Sequence, residues 1–181
     1  MLPEPIERKY EMTRVAILGN AGGGKSSLGR KLGAARGLPY HAIDRFQWLP
    51  GWRPAPQAAF DAGHDAIVAG EHWILDGVGD LDAIVRRIAR ADTILFIDLP
   101  LHTHLWWTTK RQIRSILFGR PDGPEGCPMW RVTWQLYRMI WWIHRELRPQ
   151  LLAIIAEAGA NKTVFNIRSP RDLAAFERRF C

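Results

Sequence analysis

The stretch Val15-Ala16-Ile17-Leu18-Gly19-Asn20-Ala21-Gly22-Gly23-Gly24-Lys25-Ser26 joins a short apolar run to a glycine-rich turn. Residues 19–26 match the pattern G-x-x-x-x-G-K-S/T, in which glycines allow successive backbone N–H groups to point toward a phosphate. A helix that begins at Lys25 would direct the positive end of its dipole to the same place. The sequence therefore predicts a phosphate-binding loop between a strand and a helix, and with it the binding of a mononucleotide.

Each residue type in this loop has a predicted task. We expect Lys25 to contact the terminal phosphates of ATP and the Ser26 hydroxyl to coordinate magnesium carried by the nucleotide. A chance glycine-rich turn is the alternative, but it would cost stability with no ligand to offset it. The predicted nucleotide contacts are Gly19, Asn20, Ala21, Gly22, Gly23, Gly24, Lys25, Ser26 and Ser27.

Outside the loop, apolar runs typical of strands alternate with helical patterns, which predicts parallel strands joined by crossover helices. The predicted strands lie near residues 15–18, 40–43, 73–75, 93–97 and 163–167. The predicted helices lie near 25–35, 57–69, 81–89, 102–117, 129–146 with a continuation after Pro149, and 170–180. We therefore expect an α/β fold, a five-stranded parallel sheet flanked by helices, with candidate substrate-facing loops at 49–56 and 119–128.

Carboxylates follow several of the predicted strands. Ligands bind beyond the carboxyl ends of parallel strands, so Asp44, Asp76 and Asp98 are expected on the same rim as Gly19. Asp76 is the candidate to hold magnesium together with Ser26, and Asp44 is the candidate to orient or deprotonate a phosphate acceptor. Ordinary strand-end turns are the alternative for both, and Asp98 could equally cap the next helix.

Composition narrows the class of protein. With 181 residues, 47% hydrophobic and 24% charged, the chain is expected to form one globular domain over 1–181, with a tail at about 1–13. No apolar run is long enough to span a bilayer, and the first residues lack a signal-peptide pattern, which predicts a cytoplasmic protein. The two cysteines, Cys127 and Cys181, are expected to be reduced thiols.

Positive charge is concentrated in one segment. The chain has a formal net charge of +7, and residues 106–148 contain eight basic and three acidic residues. We predict that this basic helical region is a lid whose arginines Arg111, Arg114 and Arg120 stabilise a transferring phosphoryl group. A solvated basic surface is the alternative for each arginine.

An aromatic stripe follows within the same segment. Trp130, Trp134, Tyr137 and Trp141 recur at helical spacing beside Arg131, Arg138 and Arg145. Such a stripe favours packing against the body of the protein, with the arginine stems covering its edge. Binding of nucleic acid by stacking and phosphate contact is the alternative.

These motifs together resemble the adenylate-kinase-related P-loop proteins often labelled topology modulation proteins. The resemblance rests on residues 19–32, 37–39, 44, 48–52, 73–77, 91–100 and 120–128. It implies a three-layer P-loop NTPase fold of the nucleoside-monophosphate-kinase type with a short helical lid. Val78-Gly79-Asp80 stand where the wider group has Phe-Pro-Arg, so Arg86 or Arg87 is the candidate to replace that arginine.

The resemblance also implies that residues 168–171 lie near the adenine ring. Taken together, the sequence predicts an ATP- and magnesium-dependent phosphotransferase that acts on a small acceptor such as a nucleoside monophosphate. Lys25, Asp44, Asp76, Arg111, Arg114 and Arg120 are its predicted catalytic residues. A nucleotide-dependent nucleic-acid-binding or regulatory protein without efficient transfer is the alternative.

Overall fold

A single sheet organises the protein, whose computed structural model describes residues 12–118 and 126–181. Five parallel strands form it in the order β2-β5-β1-β6-β7. They are β1 Arg14–Gly19, β2 Tyr40–Ala42, β5 Trp73–Asp76, β6 Thr93–Ile97 and β7 Thr163–Ile167. The predicted five-stranded parallel sheet is confirmed. The apolar strand β1 lies at its centre, where strands on both sides keep it buried.

Helices cover both faces of the sheet. They are α1 Lys25–Arg36, α2 Asp44–Gln47, α3 Gln57–Val68, α4 Leu81–Arg90, α5 Leu101–Phe118, α6 Thr133–Trp142, α7 Arg148–Ala158 and α8 Pro170–Phe180. Alternate residues of β1 point to opposite sides, as the period of a strand requires. Val15 and Ile17 pack with α1 and α8, whereas Leu18 packs with α4 and α7. The fold is therefore a three-layer α/β sandwich.

Two segments differ from the sequence expectation. Residues 49–56 do not remain an irregular loop, because β3 Trp48–Leu49 and β4 Arg53–Pro54 pair as a small antiparallel hairpin. The second predicted strand ends at Ala42, and Asp44 begins the short helix α2. The hairpin is fixed by Trp52, whose indole N–H donates to the Pro128 carbonyl over 3.0 Å.

Pro149 does not interrupt the helix that contains it. A 3-10 turn, Met129–Val132, precedes α6, and a π-helical turn, Ile143–Leu147, joins α6 to α7. The Arg148 N–H donates to the Ile143 carbonyl, five residues earlier, at this wider turn. Since proline has no N–H and crowds the preceding turn, the π turn lets the chain pass Pro149 and continue, as predicted.

Asp98 takes a structural role in the described part of the chain. At the end of β6, its carboxylate accepts from Arg148 Nε over 2.6 Å and from Arg148 Nη2 over 2.8 Å. This two-point contact joins the sheet to the start of α7, and it raises the pKa of the Arg148 guanidinium. Asp98 thus lies near the predicted rim of the sheet, but its carboxylate is paired with Arg148.

Both cysteines are free thiols, with Cys127 buried and Cys181 exposed. Within the described residues, no helix combines the length and the apolar character needed to cross a membrane.

The Asp98–Arg148 contact yields a stability prediction. Arg148→Ala leaves an Asp98 side chain that is only 8% exposed without its charged donor. Because the Arg148 side chain is itself 38% exposed, we expect a moderate loss of about 1–2 kcal/mol in the free energy of unfolding. Urea denaturation measures it, with the exposed Arg145→Ala as control. Equal stability of the two variants would contradict a structural role for the pair.

Candidate active site

The phosphate-binding loop lies between the end of β1 and the start of α1, at the central strand. Gly22 and Gly24 adopt φ values of +72° and +82°, which residues with a Cβ rarely adopt. A Cβ on Gly22 would also collide with the Thr108 hydroxyl of α5. The first turn of α1 contains no acidic residue and receives no side-chain cap, so its backbone N–H groups remain suited to an anion.

Side chains from distant elements hold this loop in place. Asn20 donates from Nδ2 to the Ile140 carbonyl of α6 over 2.8 Å and accepts at Oδ1 from the Ala21 N–H over 2.8 Å. His104 of α5 donates from Nδ1 to the Ala21 carbonyl over 2.9 Å. The helices of the predicted lid region therefore pack directly on the loop, and closure of a lid stays a prediction.

Lys25 lies at the centre of the charged groups of the site. Its ammonium donates to the Asn20 carbonyl over 2.8 Å. Burial lowers the pKa of Lys25, while the neighbouring carboxylates Asp76 and Asp44 oppose that shift and Arg111 adds to it. The predicted residues Lys25, Asp44, Asp76 and Arg111 are therefore close enough to influence one another electrostatically.

Asp76 and Ser26 share a neighbour that the sequence argument missed. The Tyr40 hydroxyl donates to Asp76 Oδ2 over 2.5 Å and is also hydrogen-bonded to the Ser26 side chain. Burial, together with Asp76, raises the pKa of Tyr40, so its hydroxyl keeps the proton that it donates. Tyr40 begins β2, and only the pairing of β2 with β5 brings it to Asp76.

A cavity of about 1080 Å³ opens beside the loop. Its lining contains Ala21 through Ser27 of the loop, together with Asp44, Asp76, Arg111 and Arg114. Gly19 and Asn20 lie behind this cavity, beside Asp98 and His104. Arg120 lies outside the described residues. The structure thus gathers most of the predicted site residues around a single space, including carboxylates from two different strand ends and two arginines of α5.

Aromatic and cationic side chains also line the cavity. Trp48 and Trp52 of the hairpin line it, with their ring centroids 5.8 Å apart, and Trp107 lines it from α5. Arg30, Arg45 and Arg131 add positive charge to the lining. The predicted substrate-facing role of the 49–56 loop fits this position. Such a lining suits a small acceptor with negative charge and apolar surface.

The two arginines suggested as replacements for a missing cation are engaged elsewhere. Arg86 donates to Asp61 over 2.6 Å and to Asp65 over 3.0 Å, both on α3. Arg87 is fully buried and donates to the Val78 carbonyl over 3.1 Å. Neither arginine lines the cavity. The prediction that Arg86 replaces the missing arginine is therefore wrong, and Arg87 instead binds the backbone of Val78, which does line the cavity.

The donor set fits magnesium held jointly with a nucleotide. Within residues 12–118 and 126–181, no three His, Cys, Asp or Glu side chains form a cluster that could bind a metal alone. Ser26 and Asp76 both line the cavity and carry the hard oxygen donors that magnesium prefers. Magnesium bound to ATP needs few protein ligands, because phosphates and waters complete its shell.

The chain is similar to known proteins in structure, at low sequence identity. No family model and no curated protein sequence matches the chain. Among solved structures it is similar to a gluconokinase from Sinorhizobium meliloti 1021, with 14% identity, 92% of both chains covered and a TM-score of 0.52. A shikimate kinase from Aquifex aeolicus vf5 gives 14% identity, 92% coverage of both chains and a TM-score of 0.49.

The similarity to the gluconokinase, together with the loop and the sheet order, shows that the chain has the fold of P-loop kinases. The predicted three-layer P-loop architecture is thereby confirmed. The more specific resemblance to topology modulation proteins stays a prediction.

The buried His104 yields a pH prediction. Burial, assisted by Lys25, lowers the pKa of His104 to about 4 from the ordinary 6.5. Between these values the unfolded chain binds the proton and the folded chain does not, so stability falls as the pH falls. We expect the loss between pH 7 and pH 5 to be about 2 kcal/mol smaller in His104→Asn, which keeps a donor for Ala21.

Urea unfolding at the two pH values measures this difference. The other buried histidine, His64, also has a lowered pKa, but it titrates alike in both proteins and cancels in the comparison. Parallel pH profiles for wild type and His104→Asn would show that folding does not lower the pKa of His104.

Proposed function

We propose that this protein is an ATP-dependent phosphotransferase that moves the γ-phosphoryl group of ATP to a small acceptor. The observation that carries the proposal is the meeting of Lys25, Asp76 and Asp44 with Arg111 at a single cavity on the phosphate-binding loop. A site that only binds nucleotide needs the loop. A site that transfers a phosphoryl group also needs carboxylates to position the acceptor and the metal, and cations to neutralise the charge of the transferring group.

Each residue of the site has a part in the proposed reaction. The N–H groups of residues 22–26 and the Lys25 ammonium bind the phosphates of ATP, and Ser26 and Asp76 hold magnesium. Magnesium, when bound, neutralises charge that develops on the phosphate oxygens. Asp44 accepts the proton of the acceptor hydroxyl while the oxygen of that hydroxyl bonds to the γ-phosphorus. The bond from that phosphorus to the bridging oxygen breaks, ADP leaves, and Arg111 and Arg114 stabilise the transferring group.

The lining of the cavity favours an anionic acceptor that carries a hydroxyl group. A nucleoside monophosphate is also an anionic acceptor, although it accepts on a phosphate oxygen, which gives Asp44 no hydroxyl proton to take. In addition, Asp80 caps α4 by accepting from the Ala83 N–H, at the position where the nucleotide kinases have arginine. An acceptor bound through Arg30 or Arg45 and the Trp48–Trp52 pair fits this cavity without that arginine. We also propose that the protein acts in the cytoplasm, where ATP is abundant and thiols stay reduced.

A nucleotide-dependent nucleic-acid-binding or regulatory protein without efficient transfer is the second candidate function. The observation that favours it is the exposure of Trp134 and Trp141, which are 72% and 54% accessible beside arginines. A screen of phosphate acceptors with magnesium-ATP separates the two candidate functions. A binding protein would bind magnesium-ATP and phosphorylate none of the acceptors.

Removal of the loop lysine tests the proposal. Lys25→Ala deletes the only side-chain ammonium among the described residues that line the cavity, so we expect transfer to fall by about 100-fold or more. Transfer from magnesium-ATP is measured with a panel of nucleoside monophosphates, sugar acids and other anionic hydroxyl compounds. Lys31→Ala, on the exposed side of the same helix, is the matched control. Turnover by Lys25→Ala equal to that of the control would overturn the proposal.

The Tyr40 hydroxyl offers a test of the magnesium site that does not depend on turnover. Tyr40→Phe removes the hydrogen bonds that orient Asp76 and Ser26, so the ligands lose their alignment. We expect magnesium to strengthen ATP binding about tenfold less in the variant than in the wild type. Calorimetric titration of ATP with magnesium and with EDTA measures it. An unchanged magnesium effect would show that Asp76 does not hold the metal.

A further inference from the structure

The helices α5 and α6 run antiparallel, and two hydrogen bonds fix their register. The Thr109 hydroxyl lies 2.6 Å from the Tyr137 hydroxyl, and Gln112 Nε2 donates to the Thr133 hydroxyl over 3.0 Å. As the number rises along α5, the partner number falls along α6. Thr109 and Gln112 on α5, and Thr133 and Tyr137 on α6, therefore mark the line along which the two helices face each other.

Helix geometry then assigns the remaining residues to sides of the pair. A residue that follows a facing position lies about 100° further around its helix, and in an antiparallel pair this rotation leads to the same side on both helices. That side, which we call the outer face, consists of Trp106, Lys110, Ile113, Trp134, Arg138 and Trp141. Residues that precede the facing positions, such as Thr108 and Leu136, lie on the opposite side, against the loop and the cavity.

The outer face exposes large apolar side chains. Trp134 is 72% exposed, Trp106 58%, and Trp141 and Ile113 54% each. The expectation that the aromatic stripe packs against the body of the protein is therefore wrong for Trp134 and Trp141. Tyr137 of that stripe packs inward instead, because its position faces α5. Contiguous apolar surface of this kind marks a site of interaction, since monomeric proteins rarely leave it in water.

The charge of the outer face has one sign. Lys110 lies 4.8 Å above the ring of Trp106, and Arg145, one turn beyond the face, lies 6.0 Å above the ring of Trp141. Neither α5 nor α6 contains an acidic residue. A second copy of the same face would bring these cations against one another, which disfavours self-association. The face suits a partner that is both anionic and able to take up apolar side chains.

The kind of apolar side chain separates the anionic partners. Nucleic acid bases stack on aromatic rings, but Ile113 and its neighbour one turn on, Leu117, have no ring and are 54% and 67% exposed. A bilayer surface accepts aliphatic side chains below its headgroups, tryptophan at headgroup level and Lys or Arg beside anionic headgroups. This combination occurs on the outer face, where Lys110 lies between Trp106 and Ile113 on α5, and Arg138 lies between Trp134 and Trp141 on α6.

We propose that the outer face binds the surface of a membrane that contains anionic lipids. The two helices would lie parallel to the bilayer, with Trp134 and Trp141 inserted at the headgroup level. Because the cavity lies on the opposite side of the pair, it stays open to water while the protein is bound. The proposal does not depend on phosphoryl transfer, and it stands or falls separately from the proposed function.

Cosedimentation of the full chain with vesicles tests the proposal. Vesicles of phosphatidylcholine mixed with phosphatidylglycerol are compared with vesicles of phosphatidylcholine alone, at low and high salt. We expect binding to the anionic vesicles only, weakened by salt. Arg138→Glu with Arg145→Glu should lower the partition coefficient about 30-fold or more, and Trp134→Ser with Trp141→Ser about tenfold.

Matched controls come from elsewhere on the surface. Val85→Ser on α4 removes an apolar side chain that is 47% exposed, and Arg178→Glu on α8 reverses an exposed charge. Both control variants should bind vesicles like the wild type. Urea unfolding and the binding of magnesium-ATP verify that every variant is folded, so that lost vesicle binding reports the surface alone.

Four outcomes would overturn the proposal. They are no binding to anionic vesicles by the folded wild type, equal binding to neutral vesicles, equal loss in the control variants, and a response confined to another partner. In the last case, the same outer-face variants would abolish binding of a single-stranded or duplex oligonucleotide, or a concentration-dependent dimer, while vesicle binding stayed unchanged.

Discussion

The shape of the phosphate-binding loop depends on hydrogen bonds from side chains that are remote in sequence. Asn20 binds the Ile140 carbonyl of α6, and His104 of α5 donates to the Ala21 carbonyl. The imidazole that makes the second bond is buried, and burial lowers the pKa of His104 to about 4. Without these contacts, a turn with three consecutive glycines would sample many conformations and lose entropy on binding a ligand. The helices beside the loop therefore preorganise it.

The charges around the cavity are balanced in a way that suits a polyphosphate. Burial lowers the pKa of Lys25, and the carboxylates of Asp76 and Asp44 offset part of that effect. Arg111 and Arg114 also line the cavity, so a nucleotide with its magnesium would meet groups of both signs. Tyr40 links the two proposed magnesium ligands, because its hydroxyl contacts both Asp76 and Ser26. Interactions of this kind are stronger in a partly closed site than in water.

The pair α5–α6 serves two surroundings at the same time. One side supports the loop and lines the cavity through residues such as Thr108 and Leu136. The outer face exposes three tryptophans and is lined by cations. A stripe of aromatic residues at helical spacing does not reveal which of these sides it occupies. The side follows from the register with the neighbouring helix, which is set by Thr109 with Tyr137 and Gln112 with Thr133.

The sequence by itself determined the loop, the five parallel strands and the carboxylates at the rim, because each depends on local pattern and on the fixed geometry of parallel sheets. The glycines of residues 19–26 specify the turn locally, and Asp76 is the last residue of its strand. Only the tertiary structure decided that Tyr40 contacts Asp76, that Arg86 binds α3, and that Trp134 and Trp141 face water. These outcomes depend on strand register and helix rotation, which arise from packing between segments that are distant in the chain.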